Sequence, residues 1–164
     1  MIDVLIADDQ QVVRQGFELF LSGHPEIRVV GHAKTGVEAY EQVRALRPDV
    51  VLMDVKMPVF DGLSAAEIIL KEDRAGSVIL LTAFSDEEIV KKAGEIGVSG
   101  YLVKPVEQRL LRPAIEVAMA QSAYAKKEGV AESEAYQTLR KTAMDKRLPL
   151  AVIAKAYLEQ EDPS

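Results

Sequence analysis

The sequence predicts an α/β protein with a doubly wound, five-stranded parallel sheet, followed by a small all-helical tail. Two observations lead to this prediction. Short apolar runs rich in β-branched residues alternate five times with segments of helical period, and from about Val106 only the helical period remains. Strands that are apolar on both faces need helices on both sides of the sheet, and regular alternation favours parallel strands joined by right-handed crossovers.

Five segments have the composition of buried strands. They are Ile2 to Ala7, Ile27 to Ala33, Asp49 to Met53, Val78 to Leu81 and Gly100 to Val103. The segments between them place apolar residues at the spacing of one helical face, for example at Val13, Phe17 and Phe20. Each strand is therefore followed by a helix that can cover one face of the sheet.

The tail is predicted to contain three helical segments. The first begins near Glu107, so that Pro113 falls in or near the first turn, and it ends before Gly129. A second helix covers Glu132 to Asp145, and a third opens at Pro149. Because two short helices cannot bury their apolar stripes alone, we expect them to pack on each other and on the helix before Gly129.

The charge of the chain restricts the partners that it can bind. The 164 residues include 20 Lys and Arg against 26 Asp and Glu, for a net charge of -6. Residues 1–120 hold 13 basic and 19 acidic side chains, whereas residues 121–164 hold seven of each. This balance argues against a protein that coats nucleic acid or an anionic membrane, so any nucleic-acid contact is expected to be local.

Composition also predicts a cytoplasmic protein without thiol chemistry. There is no Cys and there are two His, which excludes disulfides and thiolate metal sites. No apolar run approaches the roughly 20 residues that span a bilayer, and the opening MIDVLIADD is acidic where a signal peptide would be basic. We therefore expect a chain that is neither exported nor inserted into a membrane.

Polar side chains follow four of the predicted strands. Asp8 and Asp9 follow the first strand, Asp54 the third, Thr82 the fourth and Lys104 the fifth. In an open parallel sheet the carboxyl ends of the strands border one crevice, so these groups should converge. Converging carboxylates need a hard cation, and oxygen ligands point to Mg²⁺. A lysine and a hydroxyl beside them are the donors that a phosphoryl group in transfer requires.

Each of these residues also has an ordinary structural interpretation. Asp9 could cap a helix that begins near Gln10, since Asp is a favoured N-cap residue. Asp54 could be a loop acid, Thr82 a hydroxyl near a helix cap and Lys104 a solvated charge. Their conjunction at successive strand ends, in this order, is what favours the chemical interpretation.

Four motifs give the chain a recognisable resemblance. They are LIADDQ at 5–10, VLMDVKMPVFDG at 51–62, LLTAF at 80–84 and GYLVKP at 100–105. Over roughly residues 1–125 the chain resembles a two-component response-regulator receiver domain, which implies a flavodoxin-like fold. The resemblance implies that Asp54 accepts a phosphoryl group from a sensor histidine kinase.

The same resemblance implies roles for the other residues of the crevice. Asp9 and Asp54 would contact Mg²⁺ directly together with the backbone carbonyl of Lys56, and Asp8 would act through water. Lys104 would bind a phosphate oxygen. 

Thr82 and Tyr101 resemble a coupled switch pair, in which the hydroxyl moves to the phosphate and the ring turns inward. The ordinary alternative for Tyr101 is a strand aromatic half-buried against the fourth helix. Both interpretations place this side chain on the fifth strand.

The tail resembles a second module. Residues 119–159, chiefly through ESEAYQTLRKTAMDKRLPLAVIAKAYL, resemble an ANTAR domain, a three-helix RNA-binding module of transcription antiterminators. No coiled-coil spacer separates the two parts, so the last receiver helix must serve as the first ANTAR helix. The predicted domains are therefore a receiver at 1–125 and an output at 119–164. This implies binding to structured RNA such as a hairpin, and a homodimer formed on phosphorylation is a further expectation.

Basic residues lie around the turn between the last two helices. Arg140, Lys141, Lys146 and Arg147 are opposed nearby only by Asp145, a small patch suited to phosphate contacts. Charges beside a turn are also commonly just a solvated face.

Aromatic residues of the tail could add base stacking to such a patch. Tyr124 is a candidate to stack on an RNA base. Tyr136 and Tyr157 lie on apolar stripes and are expected in the core.

Two rival functions remain open at this point. The tail could mediate protein interaction or dimerisation without binding RNA. Alternatively, the chain could be a small Mg²⁺-dependent phosphatase with Asp54 as nucleophile, although the sequence offers no further acid placed as a general acid. We expect a regulator that modifies itself and slowly loses its phosphoryl group, rather than an enzyme.

Overall fold

The computed structural model describes residues 1–72, 74–83 and 87–161 and contains one parallel sheet. Its strands are β1 (Ile2–Ala7), β2 (Ile27–Ala33), β3 (Val50–Asp54), β4 (Ser77–Thr82) and β5 (Gly100–Val103), in the order β2-β1-β3-β4-β5. All four strand pairs are parallel. The predicted flavodoxin-like α/β architecture is therefore confirmed.

Seven α-helices accompany the described strands. They are α1 (Gln11–Leu21), α2 (Gly36–Leu46), α3 (Gly62–Lys71), α4 (Glu87–Ile96), α5 (Leu111–Glu128), α6 (Glu132–Lys146) and α7 (Leu150–Glu161). Helices α1 and α5 contribute to the core on one face of the sheet, and α2, α3 and α4 contribute to the core on the other. Strands β3 and β4 are buried along their whole length, which explains their apolar composition.

Several boundaries differ from the predicted ones by a few residues. Strand β3 begins one residue late and includes Asp54 as its last residue, and β4 extends to include Thr82. A 3₁₀ turn over 108–110 precedes α5, so the α-helix starts later than Glu107 and Pro113 is its third residue. Such a turn is common at this position, because the first amides of an α-helix lack partners within it and 3₁₀ turns frequently precede α-helices.

Helix α5 contributes to two separate apolar clusters. Leu111, Ile115 and Ala118 belong to the cluster under the sheet, whereas Ala120 belongs to a tail cluster with residues of α6 and α7, namely Leu139, Ala143, Ile153 and Ala154. Gly129 ends the helix as predicted, with a φ of 66° and its amide bonded to the carbonyl of Ala125. The expected packing of the two short helices on α5 and on each other is confirmed.

Parts of two sequence predictions lie outside the described residues. Phe84 ends the motif at 80–84, and residues 162–164 end the predicted output domain. Among the residues that the structure describes, none of the helices combines the length and the apolar character needed to cross a membrane.

Candidate functional site

The carboxyl ends of β1, β3, β4 and β5 border a pocket of about 300 Å³. The sheet topology brings together side chains that are far apart in sequence, because parallel strands end at one edge. The pocket is lined by Asp9, Gln10, Asp54, Val55, Lys56, Thr82, Ala83, Ile89 and Lys104. We call it the acidic pocket.

Three carboxylates meet at the acidic pocket. Asp8, Asp9 and Asp54 each offer an oxygen atom within 4.8 Å of the others. Asp8 is fully buried and Asp54 is 6% exposed, while Asp9 is open to solvent. A set of carboxylate oxygens with one open side suits a hard, partly hydrated cation such as Mg²⁺. The residues present therefore fit the ion that the sequence predicts.

Lys104 forms ion pairs with both buried acids. Its Nζ lies 2.5 Å from Asp8 Oδ2 and 3.1 Å from Asp54 Oδ2. Burial lowers the pKa of Lys104, but the hydrogen bond to Asp8 and the charge of Asp54 outweigh burial, and its pKa is raised overall. Lys104 is therefore a permanent cation at the floor of the pocket.

Asp54 has an unusual electrostatic environment for a carboxyl group. Burial and the neighbouring charge of Asp8 raise its pKa, and Lys104 opposes them with its charge and a hydrogen bond. The amide of Lys56 also donates to Asp54 Oδ1 at 3.3 Å. A carboxylate with a raised pKa is a stronger base and a better nucleophile than an ordinary one.

Asp8 is fixed on several sides, including by a residue that the sequence analysis missed. Its Oδ1 accepts a hydrogen bond from the amide of Gln10 at 2.9 Å, and its own amide donates to the carbonyl of Ala33 at 3.0 Å. Arg14, only 7% exposed, donates from Nη1 to the carbonyl of Asp8 at 2.6 Å. The sequence did contain a signal for Arg14. This residue lies on the apolar stripe of α1, where a buried cation needs a hydrogen-bond partner.

Asp9 does not cap the following helix. The N-cap residue of α1 is Gln10, and no side chain caps this end. The capping interpretation of Asp9 is therefore wrong, because the chain turns at Asp8 and the exposed Asp9 carboxylate faces the pocket instead.

Gly62 is a second feature of the site that sequence reasoning missed. A Cβ at this position would lie 1.8 Å from the carbonyl oxygen of Asp54. The amide of Gly62 donates to the carbonyl of Val55 at 2.8 Å, which ties the start of α3 to the end of β3. Only glycine allows this close approach, so Gly62 helps to fix the backbone that carries Asp54.

Thr82 and Tyr101 lie on neighbouring strands. Thr82 is 5% exposed and pairs with Val103, whereas Tyr101 is 43% exposed and pairs with Leu80. Since side chains two residues apart on a strand share a face, Thr82 and Tyr101 are on the same face of the sheet. Their switch roles stay predictions, as do the roles of Asp54, Lys104 and the Lys56 carbonyl.

The structure divides the predicted basic patch into two parts. All four cations are exposed, and Arg140 and Lys141 line a shallow depression of about 390 Å³ together with Gln137, Met144 and Asp145. Lys146 lies six residues after Arg140, which turns it by about 120° around the helix. Arg147 caps the helix in the left-handed region. 

The tyrosines of the tail are not arranged as an open stacking platform. The rings of Tyr124 and Tyr157 lie against each other with centroids 5.8 Å apart, and Tyr157 packs on the tail cluster. Tyr136 is half-buried and lines a cavity between the sheet and the tail. Tyr124 is thus already engaged in a ring contact.

Comparison with known families divides the chain into two matching regions. The model of the response regulator receiver domain matches residues 4–116, and the model of the ANTAR domain matches residues 109–156. The two matches overlap at the start of α5.

Known proteins resemble the chain over different lengths. The transcriptional regulatory protein PdtaR of Mycobacterium tuberculosis is 33% identical over 184 residues, covering 95% of this chain and 89% of PdtaR. The transcriptional regulatory protein LnrK of Bacillus subtilis is 37% identical over 115 residues, covering 70% of this chain. That match spans only about half of LnrK, 52% of its length.

A solved structure is similar to the sheet and its helices. The response regulator domain of CheB from Thermotoga maritima has a TM-score of 0.68 and 31% identity. The match covers 73% of this chain and 96% of the CheB domain. 

Proposed function

This chain belongs to the response regulators, with a receiver domain followed by an ANTAR domain, and on that premise we propose that it accepts a phosphoryl group on Asp54 from a sensor histidine kinase and controls transcription antitermination by binding structured RNA. The observation that carries the proposal is the position of Asp54, buried beside both Asp8 and Lys104. 

The proposed chemistry is attack by an Asp54 carboxylate oxygen on phosphorus. The new P–O bond forms as the P–N bond to the kinase histidine breaks, and the electron pair of that bond leaves with the imidazole nitrogen. Lys104 can bind an equatorial oxygen of the transferring group, and the hydroxyl of Thr82 can donate to another. The raised pKa of Asp54 favours attack, and Lys104 opposes that rise with its charge and a hydrogen bond.

Mg²⁺ would be held by Asp9 and Asp54 directly, with the Lys56 carbonyl, and by Asp8 through water. When bound, it supplies charge neutralisation for the transferring phosphoryl group. The carboxylate set described above supports this assignment. Arg14 and Gln10 hold Asp8 in place, so the chain itself positions this carboxylate beside the site.

A kinase also needs a surface on which to dock beside the pocket. A groove of about 470 Å³ adjoins Lys104 and is mostly apolar, with Val12, Val13 and Pro105 in its walls. Val12 is 80% exposed although it is apolar. An exposed apolar groove next to a phosphoacceptor suits a helical partner that must deliver a histidine to Asp54.

The proposed output is the tail. Arg140 and Lys141, with Lys146 and Arg147 on a second side, offer a few phosphate contacts within a neutral tail. The receiver is acidic, so RNA affinity must come from these local contacts. We propose that phosphorylation raises this affinity, with a homodimer as one means, and that the chain acts in the cytoplasm. The chain acts as a regulator that slowly dephosphorylates itself and turns over no external substrate.

Labelling with acetyl phosphate and Mg²⁺ tests the first half of this function. We expect one phosphoryl group per chain by intact mass, which persists for seconds or longer and decays after donor removal. Continuous release of phosphate without accumulation would instead identify a phosphatase. RNA crosslinking and sequencing, with and without acetyl phosphate, tests the second half. Absence of enriched RNA in both states would favour a tail that binds protein.

A further inference from the structure

A cavity of about 370 Å³ lies at the junction between the receiver and the tail. The edge strand β5 supplies Tyr101 and Leu102 on the receiver side, and Tyr136 of α6 and Leu150 of α7 line the cavity from the tail. Val117 of the shared helix α5 lines it as well. Three parts of the chain therefore border one space, which we call the junction cavity.

The junction cavity is too large to be an ordinary packing defect. Protein interiors are close-packed and contain few voids larger than a water molecule. An apolar cavity of roughly 150 Å³ already binds benzene, and pockets for small molecules begin at about 300 Å³. The junction cavity is therefore in the size range of a site for a small molecule.

Small residues on opposite walls keep the junction cavity open. Gly100 of β5 and Ala151 of α7 both line it. A Cβ placed on Gly100 would meet no heavy atom within 4 Å, and the backbone at this glycine is not in the left-handed region. The chain thus leaves room at Gly100 that a larger side chain could occupy without strain.

The lining of the junction cavity restricts what it can hold. Among the described residues that line it, none carries a formal charge, so burial of an ion there would be costly. Most of the lining is apolar, and the rings of Tyr101 and Tyr136 offer aromatic surface against which a flat ring can pack. The cavity therefore suits a neutral aromatic molecule better than one with phosphate or carboxylate groups.

Ser99 adds a polar group to the wall of the cavity. Its hydroxyl donates to Glu132 Oε2 of α6 at 3.2 Å, so its proton is already engaged. Its amide donates to the carbonyl of Val78 at 2.9 Å, which fixes the residue beside β4. A hydroxyl oxygen that donates its proton still has lone pairs that can accept a hydrogen bond. A bound molecule can therefore be oriented by an N–H or O–H group of its own.

We propose that the junction cavity is a binding site for a small, neutral aromatic molecule that carries one hydrogen-bond donor. The bound molecule contacts β5, α5 and α7 at the same time, so it links the receiver to the tail. The site is separate from the acidic pocket, which Lys104 lines beyond the other end of β5. The chain thereby has a second chemical input, which does not require a phosphoryl group.

An NMR titration of the full chain with indole tests the site, because indole is a neutral bicyclic ring with a single N–H donor. We expect saturable chemical-shift changes concentrated in β5, α5 and α7. Benzothiophene has a similar shape but no donor, and it should bind several-fold more weakly. Equal affinities would overturn the hydrogen bond to Ser99, and no saturable binding of indole would overturn the site.

Two variants narrow the cavity from opposite sides. Gly100→Val on the receiver and Ala151→Leu on the tail should each weaken indole binding by about ten- to hundredfold, the range for losing the burial of one large apolar group. The matched control is Gly16→Leu, which adds a side chain in the separate groove beside Lys104, where a Cβ on Gly16 also meets no heavy atom within 4 Å.

The control variant should bind indole as tightly as the wild type does. Far-UV circular dichroism shows which variants are folded, and either cavity variant alone can decide the question. Wild-type affinity in the folded cavity variants, or loss of binding in Gly16→Leu, would place indole elsewhere and overturn the proposal.

Discussion

The acidic pocket and the basic residues of the tail are both charged regions, but their charges are held in different ways. In the pocket, Asp8, Asp54 and Lys104 are buried or half-buried, and Lys104 Nζ lies 2.5 Å from Asp8 and 3.1 Å from Asp54. In the tail, Arg140 and Lys141 are exposed on the surface of α6. Buried opposite charges are strongly coupled, while exposed charges are screened by solvent. Single substitutions should therefore have large effects on function in the pocket, whereas the effects of substitutions in the tail should be smaller and additive.

The largest expected effect is at Asp54. Asp54→Asn should abolish labelling by acetyl phosphate, because it removes the nucleophile while keeping the shape of the side chain. The fold should be no less stable, since one of two neighbouring negative charges disappears. Intact mass measures the labelling and thermal unfolding measures the stability. Mg²⁺-dependent labelling of the variant would place the phosphoacceptor elsewhere.

A double substitution in the tail should come next in size. Arg140→Ala with Arg147→Ala should weaken binding to a structured RNA by roughly a hundredfold at low salt, since two charge-assisted contacts are lost. The wild-type log-log salt slope should be shallow, roughly -2 to -4, and the variant slope should be shallower by about 2. Binding can be followed by fluorescence anisotropy at several salt concentrations.

Lys91→Ala with Lys92→Ala is the matched control for this test, because it removes two exposed cations from α4 of the receiver. It should leave both affinity and slope unchanged. An equal loss in the two double variants would mean that RNA responds only to total charge.

Two substitutions in the pocket should differ in their effect on Mg²⁺ affinity. Asp9→Ala removes a carboxylate and should weaken Mg²⁺ binding by roughly ten- to hundredfold. Lys104→Ala removes a competing cation and should leave Mg²⁺ bound at least as tightly, while it uncouples phosphorylation from output. An Mg²⁺ titration followed by NMR or tyrosine fluorescence measures both, and Asp145→Ala in the tail is the control. Wild-type affinity in Asp9→Ala would remove Asp9 from the metal site.

The smallest expected effect is a pH dependence of stability without Mg²⁺. Burial and Asp8 raise the pKa of Asp54, so the folded protein binds this proton more tightly than the unfolded chain does. That stabilisation is fully present below the unfolded pKa of roughly 4 and is lost as the pH rises through the higher folded pKa. Asp54→Asn cannot ionise, so its advantage in free energy of unfolding should grow over this range and then level off.

Denaturant titrations in chelator-containing buffers between mild acid and neutral pH can measure this difference. A difference that stays flat across the range would show that Asp54 does not resist ionisation in the folded protein.

The strands and the acidic pocket could be predicted because both follow from patterns local to the sequence. An apolar β-branched run followed by a polar residue places that residue at the carboxyl edge of a parallel sheet. Asp54 and Thr82 were predicted just after their strands and are the last residues of them, a difference of one position. The role of Asp9 was harder to predict, since an Asp just before a helix is as typical of an N-cap residue as of a metal ligand.

Other features could not be predicted because they depend on contacts between distant elements. Arg14 donates to the backbone carbonyl of Asp8, and Gly62 lies against the backbone carbonyl of Asp54. The apolar stripe of α1 marks Arg14 as unusual, but no local pattern reveals which carbonyl either residue contacts. The Ser99 contact with Glu132 needs the docking of the tail. The division of the basic patch required the exact helical phase of Lys146 and the helix end at Arg147.

Helix α5 has a consequence for how this protein can be recombined. Within four successive residues it sends Val117 and Ala120 to the tail cluster and Ala118 and Met119 to the cluster under the sheet. A cut anywhere in this stretch strips side chains from at least one core. Because one helix contributes to both apolar cores, we expect that grafting this output onto another receiver requires transplanting the buried surface of α5 as well as α6 and α7.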